Sequence, residues 1–315
     1  MGEWVRIGAI AAGLTVAASG GAIAADPEAC GTVRLSDVGW TDITATTAAA
    51  SVILEGLGYE PEVEVLSVPV TYASLKNQDI DVFLGNWMPT MEADIRPFLD
   101  DGSVEQVGVN LEGAKYTLAV PNYLAEKGLK DFADIASFKD ELDGKIYGIE
   151  PGNDGNRLIL DMIENDSFGL GEFELIESSE QGMLSQVSRS TGSEEGIVFL
   201  GWEPHPMNAN FELTYLSGGD DVFGPDFGGA TVYTNARAGY ADECPNVGAF
   251  LANLVFTLEM ENQIMGAILN DGEEPEAAAI AWLKANPDTL DSWLEGVTTL
   301  AGDDGLAAAK SHLGL

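Results

Sequence analysis

The chain is poor in basic side chains, with 14 Lys and Arg against 52 Asp and Glu and a formal net charge of -38. Binding to nucleic acid requires clustered Lys and Arg that neutralise phosphates, so this function is excluded. Docking on an anionic membrane surface is excluded on the same grounds. The acids are spread along the chain and 45% of the residues are hydrophobic, so the charge indicates a solvated acidic surface rather than disorder.

Long hydrophobic runs are also absent, except near the start of the chain. The apolar stretch Ile7–Ala18 follows Arg6 and leads into Ala22-Ile23-Ala24, a small-x-small pattern that signal peptidase cuts. We therefore expect residues 1–24 to be a removed secretory signal, and the mature protein to be soluble and periplasmic. A retained membrane anchor is the alternative, because a single arginine makes a weak basic region. No later window reaches the ~18–20 apolar residues of a membrane span.

Cysteine is scarce too, with Cys30 and Cys244 as the only two. In an oxidising compartment two such cysteines form a disulfide more often than they stay free. Two buried free thiols are the alternative. If the pair forms, the start of the mature chain and the segment around position 244 are neighbours in space.

Catalytic signatures are missing as well. There is no Gly-x-Ser-x-Gly, Walker phosphate loop, His-Glu-x-x-His or Cys-x-x-Cys. The histidines are His205 and His312, and His312 lies in the C-terminal tail. Asp79-x-Asp81 lacks the remainder of a calcium loop. We expect no catalytic residues, no metal and no cofactor.

What is present is an alternation of β-rich runs and helical patterns. The predicted strands are Val33–Val38, Val63–Val68, Ile80–Leu84, Tyr116–Val120, Lys145–Ile149, Phe173–Glu177, Gly196–Leu200, Phe211–Leu216 and Thr231–Thr234. The predicted helices are Thr44–Leu57, Met91–Leu99, Ile135–Leu142, Asn156–Ile163, Met183–Ser190, Asn246–Leu269, Ala277–Ala285 and Thr289–Val297. This order predicts an α/β fold with a mostly parallel sheet.

The pattern also predicts two α/β lobes, because two compact sets of elements follow each other without a floppy linker. If Cys30 meets Cys244, residues 25–112 and 211–315 form a discontinuous lobe I, and residues 113–210 form an inserted lobe II. The chain then crosses between the lobes twice, near 110–114 and 208–214. Two crossings are typical of a hinged clamshell.

Three tryptophans follow predicted strands: Trp40, Trp87 and Trp202. In open parallel sheets ligands bind at the carboxyl ends of the strands, so these positions indicate the wall of a binding cleft. A single tryptophan at such a place is more often a packing residue, but three in the same topological position favour a site. Several aromatic faces around one cavity suit a quaternary ammonium ion, and each face contributes about 0.5–2 kcal/mol.

The surrounding motifs resemble those of a known family. Gly-Asn-Trp-Met-Pro-Thr at 85–90, Gly-Trp-Glu-Pro-His-Pro-Met at 201–207 and Trp-x-Asp at 40–42 are similar to the substrate-binding proteins of ABC importers for choline and glycine betaine. The resemblance is closest to the periplasmic choline-binding proteins and runs from about Cys30 to the C-terminus. It implies a type II periplasmic-binding-protein fold with a hinged cleft between its lobes, and a disulfide between the two cysteines.

The resemblance also implies the site. It places Trp40 and Trp87 from lobe I, with Tyr116 and Trp202 from lobe II, in an aromatic box, and it assigns Asp42 and Asn153 to the hydroxyl of choline. Two alternatives stay open. Asp42 could instead cap a helix that begins near Ile43, and Asn153 could cap one that begins near Asn156.

An acceptor at Asp42 favours a hydroxyl donor and opposes the carboxylate of betaine. The expected function is therefore capture of choline by a monomer that delivers it to an ABC permease in the membrane, without chemistry. A binder of glycine betaine or another methylated onium compound is the first alternative. An exported enzyme using His205 and a sensory ligand-binding module are more remote.

Overall fold

The structure is a computed structural model that describes Met1 and residues 26–315. The predicted signal segment, 1–24, lies outside the described residues apart from Met1. Among the residues that are described, none of the helices is both long and apolar enough to cross a membrane.

Strands and helices alternate through the first two thirds of the described chain. The strands are β1 (Thr32–Asp37), β2 (Glu60–Val65), β3 (Val82–Met88), β4 (Val104–Pro121), β5 (Lys145–Tyr147), β6 (Glu174–Ile176), β7 (Phe199–Glu203), β8 (Leu213–Tyr215) and β9 (Gly229–Arg237).

Helices cover the sheet and form the C-terminal part of the chain. The α-helices are α1 (Thr41–Gly56), α2 (Val68–Asn77), α3 (Glu92–Asp100), α4 (Asn122–Lys127), α5 (Asp154–Glu164), α6 (Glu180–Ser193), α7 (Met207–Asn210), α8 (Asp220–Phe223), α9 (Pro225–Gly228), α10 (Tyr240–Glu243), α11 (Pro245–Asn253), α12 (Leu258–Leu269), α13 (Pro275–Ala285), α14 (Thr289–Trp293) and α15 (Gly305–Leu313). Short 3-10 helices are Glu28–Cys30, Phe132–Phe138 and Ser167–Gly169.

The sheet is mixed, which corrects the expectation of a mostly parallel one. Its strand order is β2-β1-β3-β9-β4-β7-β5-β6, with β8 added against β4. The strands of each flank are parallel: β1 pairs with β2 and β3, and β5 pairs with β6 and β7. The two central strands, β4 and β9, are antiparallel to each other and to their flanking neighbours.

The long strand β4 connects the two flanks of the sheet. Its first part, from Val104, pairs with β9, and its second part, Lys115–Ala119, pairs with β7. The flank β2-β1-β3 and the flank β7-β5-β6 therefore form two α/β lobes joined through β4 and β9. The boundaries 25–112, 113–210 and 211–315 stay a prediction.

Several predicted elements differ from those observed. The single helix over Asn246–Leu269 is two helices, α11 and α12, and between them the Phe256 N–H donates to the carbonyl of Asn110 on β4. The segment Ile135–Leu142 was expected to be a helix, but a 3-10 helix ends there at Phe138. The predicted strand Val63–Val68 occurs three residues earlier, as β2, and helix α2 begins at Val68.

The Cys30–Cys244 disulfide is present, with the two Cα atoms 5.8 Å apart. It joins the 3-10 helix before β1 to the start of α11, so the first and last parts of the described chain share one lobe. Helix α1 runs through this lobe and is buried along most of its length, because α12, α13 and α15 pack against it. Its Ala-rich sequence permits this close approach of several helices on all sides.

Candidate functional site

One enclosed cavity lies between the two lobes, where the carboxyl ends of the parallel strands face each other. Its lining residues are Trp40, Asp42, Trp87, Tyr116, Ile149, Asn153, Asp154 and Trp202. The space between the protein atoms there amounts to about 270 Å³, with the open mouth of the cavity included.

All six residues singled out from the sequence line this cavity. Trp40 follows β1, whereas Trp87 and Trp202 are the penultimate residues of β3 and β7 rather than residues beyond them. Tyr116 lies directly opposite Trp202 in the antiparallel pair of β4 and β7. Residues directly opposite each other project to the same face of a sheet, so both rings reach the cavity.

The four aromatic side chains form a box. The ring centroids of Trp87 and Tyr116 are 6.1 Å apart, and those of Tyr116 and Trp202 are 6.2 Å apart. Both pairs meet edge to face, which is a preferred geometry of aromatic pairs. Each of the four residues, Trp40 included, is at most 6% exposed.

Three of the four rings are fixed by a hydrogen bond at their polar end. Trp40 Nε1 donates to Glu150 Oε1 at 2.7 Å, and Trp87 Nε1 donates to Asp42 Oδ2 at 3.1 Å. The Tyr116 hydroxyl donates to Asn153 Oδ1 at 2.9 Å. Because these polar groups already have partners, the rings offer the cavity only their carbon atoms and π-faces.

Asp42 does not cap a helix. Helix α1 begins at Thr41, its N-cap residue is Trp40, and no side chain of the N-cap residue bonds the first turn. Asp42 is buried, and while its Oδ2 accepts from Trp87, its Oδ1 has no hydrogen-bond partner. Burial, and next the charge of Glu180, raise the pKa of Asp42 to about 8. Asp42 thus lines the cavity and has one carboxylate oxygen that can accept a further hydrogen bond.

Asn153 does cap a helix. Its Oδ1 accepts from the Asn156 N–H at 3.0 Å at the start of α5, in addition to the Tyr116 hydroxyl. Its Nδ2 donates to Asp154 Oδ1 at 3.1 Å. All polar atoms of Asn153 thus have protein partners, so the capping alternative holds for this residue and its contact with a ligand stays a prediction.

Asp154 also lines the cavity, although the sequence analysis did not predict it. It is buried at the first position of α5, and its Oδ2 has no hydrogen-bond partner. Burial raises its pKa to about 6, against the opposing effect of the Thr90 hydroxyl and, more weakly, of Arg157. In a chain with 52 acids nothing marks one aspartate as special, and only its place beside Asn153 could have drawn attention to it.

Gly155 allows helix α5 to approach the box. A Cβ atom at this position would lie 2.0 Å from the Tyr116 hydroxyl oxygen. Because only glycine leaves that space free, the hydroxyl can pack against the first turn of the helix and reach Asn153.

His205 lies behind the box rather than in it. Its ring contacts the Trp202 ring at a centroid distance of 4.8 Å. Its Nδ1 accepts from the Met207 N–H at 2.9 Å, and its Nε2 lies 3.3 Å from Glu180 Oε1. Both ring nitrogens therefore have protein partners. Among the described residues no cluster of metal-ligating side chains occurs.

Comparisons with known proteins agree with this geometry. A family model described as the substrate-binding domain of ABC-type glycine betaine transport systems matches residues 31–285. A solved ABC-transporter choline binding protein in complex with choline is 72% identical and superposes with a TM-score of 0.90, covering 91% of this chain and 100% of that one. A structure described as an ABC-transporter choline binding protein in an unliganded semi-closed conformation, with the same identity and coverage, gives a TM-score of 0.84.

A curated relative is more distant. The glycine betaine/carnitine transport binding protein GbuC of Listeria monocytogenes is 29% identical over 165 residues, which are 52% of this chain and 54% of that protein. The match spans only about half the length of that relative. Fold and family model nevertheless agree over most of the chain: the fold is that of type II periplasmic binding proteins, and the chain belongs to the family of substrate-binding domains of ABC-type glycine betaine transport systems.

Proposed function

We propose that this protein captures choline in the cavity between its lobes and delivers it to an ABC importer, without chemistry. The observation that carries the proposal is the box itself: four aromatic rings, three of them with their polar ends hydrogen-bonded to protein groups, next to a buried carboxylate that has one oxygen without a partner. A trimethylammonium group cannot donate hydrogen bonds, so it is recognised by ring faces.

The strength of such a site follows from its aromatic faces. Each desolvated face contributes about 2 kcal/mol towards a cation. Four faces together supply roughly 8 kcal/mol. This free energy corresponds to micromolar affinity when neither other contacts nor the cost of ordering the site are counted. The rings are ordered in advance by their hydrogen bonds and packing, so little of this gain is lost when the ligand binds.

Asp42 would bind the other end of the ligand. The choline hydroxyl donates to Asp42 Oδ1, the oxygen without a partner. Trp87 holds the other oxygen of this carboxylate, so the acceptor is fixed in direction. A bound cation also favours the ionised form of a nearby carboxylate, which lowers the pKa of Asp42 from its raised value in the empty cavity.

Glycine betaine is the second candidate, and one observation favours it. With a pKa of about 8, Asp42 carries its proton at neutral pH in the empty cavity, and a protonated carboxyl group donates a hydrogen bond. The protonated carboxyl group of Asp42 could thus donate a hydrogen bond to the carboxylate of betaine. Against it stands Asp154, a second buried carboxylate with a free oxygen at the same cavity, which repels an anionic group.

We further propose that the protein works in the periplasm, with residues 1–24 as the removed export signal. Residues 113–210 would move as one lobe against residues 25–112 and 211–315. This proposal is supported by β4 and β9, the two strands that join both flanks of the sheet. Closure brings the two halves of the box together, so ligand binding stabilises the closed form that the permease recognises.

The test is a choline titration of the mature protein after unfolding and refolding to remove bound ligand. Trp202→Ala removes one face of the box and should weaken choline binding by about 30-fold. Trp282→Ala is the matched control, because Trp282 is half-buried on α13 and its Nε1 bonds Gln263 far from the cavity. Equal affinities of the two variants for choline, or no saturable binding by the unmodified protein, would refute the proposed function.

A further inference from the structure

Glu180 is a buried carboxylate that the proposed function does not yet use. It opens helix α6 and is 1% exposed. Its Oε2 accepts from the Thr41 backbone N–H at 2.8 Å, and its Oε1 accepts from the Thr41 hydroxyl. The same Oε1 lies 3.3 Å from His205 Nε2. One carboxylate thus contacts the backbone and side chain of Thr41 and the side chain of His205, which belong to two separate segments.

Glu180 and Thr41 follow strands near opposite ends of the sheet. Thr41 follows β1 and Glu180 follows β6, and the strand order places β1 second and β6 last of the eight strands in the row. Strands lie about 4.8 Å apart, so six steps separate the two by about 29 Å along a flat sheet. The hydrogen bonds therefore form only because the sheet curls and the two lobes meet. They are contacts of the closed form.

The contact with Glu180 gives the first turn of helix α1 a hydrogen-bond acceptor that the helix itself does not provide. Thr41 is its first residue, and the N–H groups of a first turn have no partner within the helix. The N-cap residue Trp40 provides no side-chain acceptor. A carboxylate at this end also interacts favourably with the helix dipole. Glu180 thus caps α1 from the opposite lobe, and opening the cleft removes that cap.

Glu180 also connects both walls of the aromatic box. Thr41 stands between Trp40 and Asp42, which line the cavity from one lobe. On its own lobe Glu180 contacts His205, whose ring packs against Trp202 on the opposite wall. A shift of Glu180 would therefore displace lining residues on both sides.

We infer that Glu180 is a positioning residue which latches the two lobes through Thr41 and thereby sets the affinity and residence time of the bound cation. The inference rests on the proposed function only in taking the box as the site that the ligand occupies. Because the latch forms after the lobes meet, its loss should act on dissociation of the ligand more than on association.

Two substitutions break the latch from opposite sides. Glu180→Gln removes the charge, and Thr41→Val removes the hydroxyl donor without touching the other lobe. Charge-assisted hydrogen bonds predict a Kd for choline about 10- to 100-fold higher in Glu180→Gln, with most of the change in the dissociation rate. Thr41→Val should raise Kd by a smaller factor, and the double variant should be no weaker than Glu180→Gln alone.

Two controls separate the latch from general damage. Thr41→Ser keeps the hydroxyl donor and should bind choline like the unmodified protein. Glu194→Gln removes the same charge from the exposed C-terminal end of α6 and should also leave binding unchanged. Rates are followed by stopped-flow tryptophan fluorescence. Additive losses in the double variant, or an effect of Glu180→Gln with none of Thr41→Val, would contradict a latch between the lobes.

A second readout does not depend on choline. The Thr41 N–H has no partner inside α1, so its hydrogen exchange in the ligand-free protein reports the bond to Glu180 directly. Because the bond exists only in the closed form, we expect partial protection of the unmodified protein without choline, stronger protection with choline, and faster exchange in Glu180→Gln in both states. Equal exchange rates in the two proteins would overturn the inference even if choline binds. Absence of choline binding with a difference in exchange would refute the proposed function and leave the latch standing.

Discussion

Asp42 and Asp154 occupy corresponding places in the two lobes. Each is buried in the first turn of a helix, lines the cavity and has one oxygen without a partner. Burial raises both pKa values, to about 8 for Asp42 and to about 6 for Asp154. The difference comes from their neighbours: Glu180 adds a like charge beside Asp42, whereas at Asp154 the stabilising effect of the Thr90 hydroxyl exceeds the like-charge effect of Asp94.

This difference assigns the two carboxylates separate tasks. At neutral pH in the empty cavity Asp154 is mostly ionised and Asp42 mostly protonated. We therefore propose that Asp154 provides the charge that attracts a cation, and that Asp42 provides an oriented hydrogen-bonding group which ionises when the cation binds. Equal burial does not imply equal charge, because the groups that face each carboxylate decide the outcome.

The largest expected effect of this difference is on the pH dependence of choline binding. A ligand cation favours ionised carboxylates, so affinity should rise with pH in two steps, near pH 6 and near pH 8. Each group contributes at most a tenfold change per pH unit below its pKa, so the gain between pH 5 and pH 9 amounts to about 100-fold or more. Asp42→Asn should remove the upper step and Asp154→Asn the lower one.

Isothermal titration at a series of pH values measures this profile. A flat profile in the unmodified protein would contradict the assignment of both carboxylates. Loss of the same step in both variants would show that the two titrate as one coupled pair.

The next effect concerns the hydroxyl of the ligand. Asp42→Asn should weaken choline binding at pH 8 by about 30-fold, because a hydrogen bond to a charged acceptor is lost. Tetramethylammonium has no hydroxyl and loses only the attraction of the charge, so its binding should weaken less than that of choline. Fluorescence titrations with both cations give the two ratios. If both cations lose affinity equally, Asp42 acts only through its charge.

A smaller effect is expected for Asp154→Asn. Removal of its charge should weaken choline and tetramethylammonium by a similar factor, about tenfold, because a nearby charge attracts any cation. Asp161→Asn is the matched control on the same helix, since Asp161 is exposed. A loss confined to choline would assign Asp154 a contact with the hydroxyl instead.

The smallest effect on choline affinity is expected from a substitution of Gly155, which packs against the Tyr116 ring of the box. Gly155→Ala places a Cβ atom within contact of the Tyr116 hydroxyl, so the ring must shift and its bond to Asn153 weaken. We expect a loss of choline affinity of about three- to tenfold. Gly192→Ala on α6 is the control, because a Cβ there meets nothing within 4 Å. Unchanged affinity of the Gly155 variant would show that the ring adapts.

Much of the fold was predictable, because strands and helices with a clear hydrophobic period are read from local sequence. The first part of β4 was missed, since Gly108 and Gly113 interrupt its alternation and its pairing with β9 shifts register there. Helix α15 was missed as well, because its Ala-rich sequence shows little helical periodicity of large hydrophobic residues. The antiparallel centre of the sheet depends on pairing over long sequence distances, which no local pattern contains.

The site was predictable to the extent that its residues carry unusual side chains. Trp40, Trp87 and Trp202 stand out by type and position, and Tyr116 and Asp42 entered through the resemblance. Asp154 and Glu180 stayed hidden because both are acids in a very acidic chain. Their roles arise from contacts across the cleft, and these contacts exist only after the sheet has curled.

We propose that the aromatic box and its two carboxylates select a cation that carries no carboxylate of its own. The most direct measurement compares the affinities of the refolded protein for choline and glycine betaine at pH 8, under one set of conditions. We expect saturable binding of choline at micromolar concentration or below, and binding of betaine that is weaker by at least tenfold. Tighter binding of betaine would contradict this proposal, and would assign Asp42 the role of a proton donor to the ligand's carboxylate.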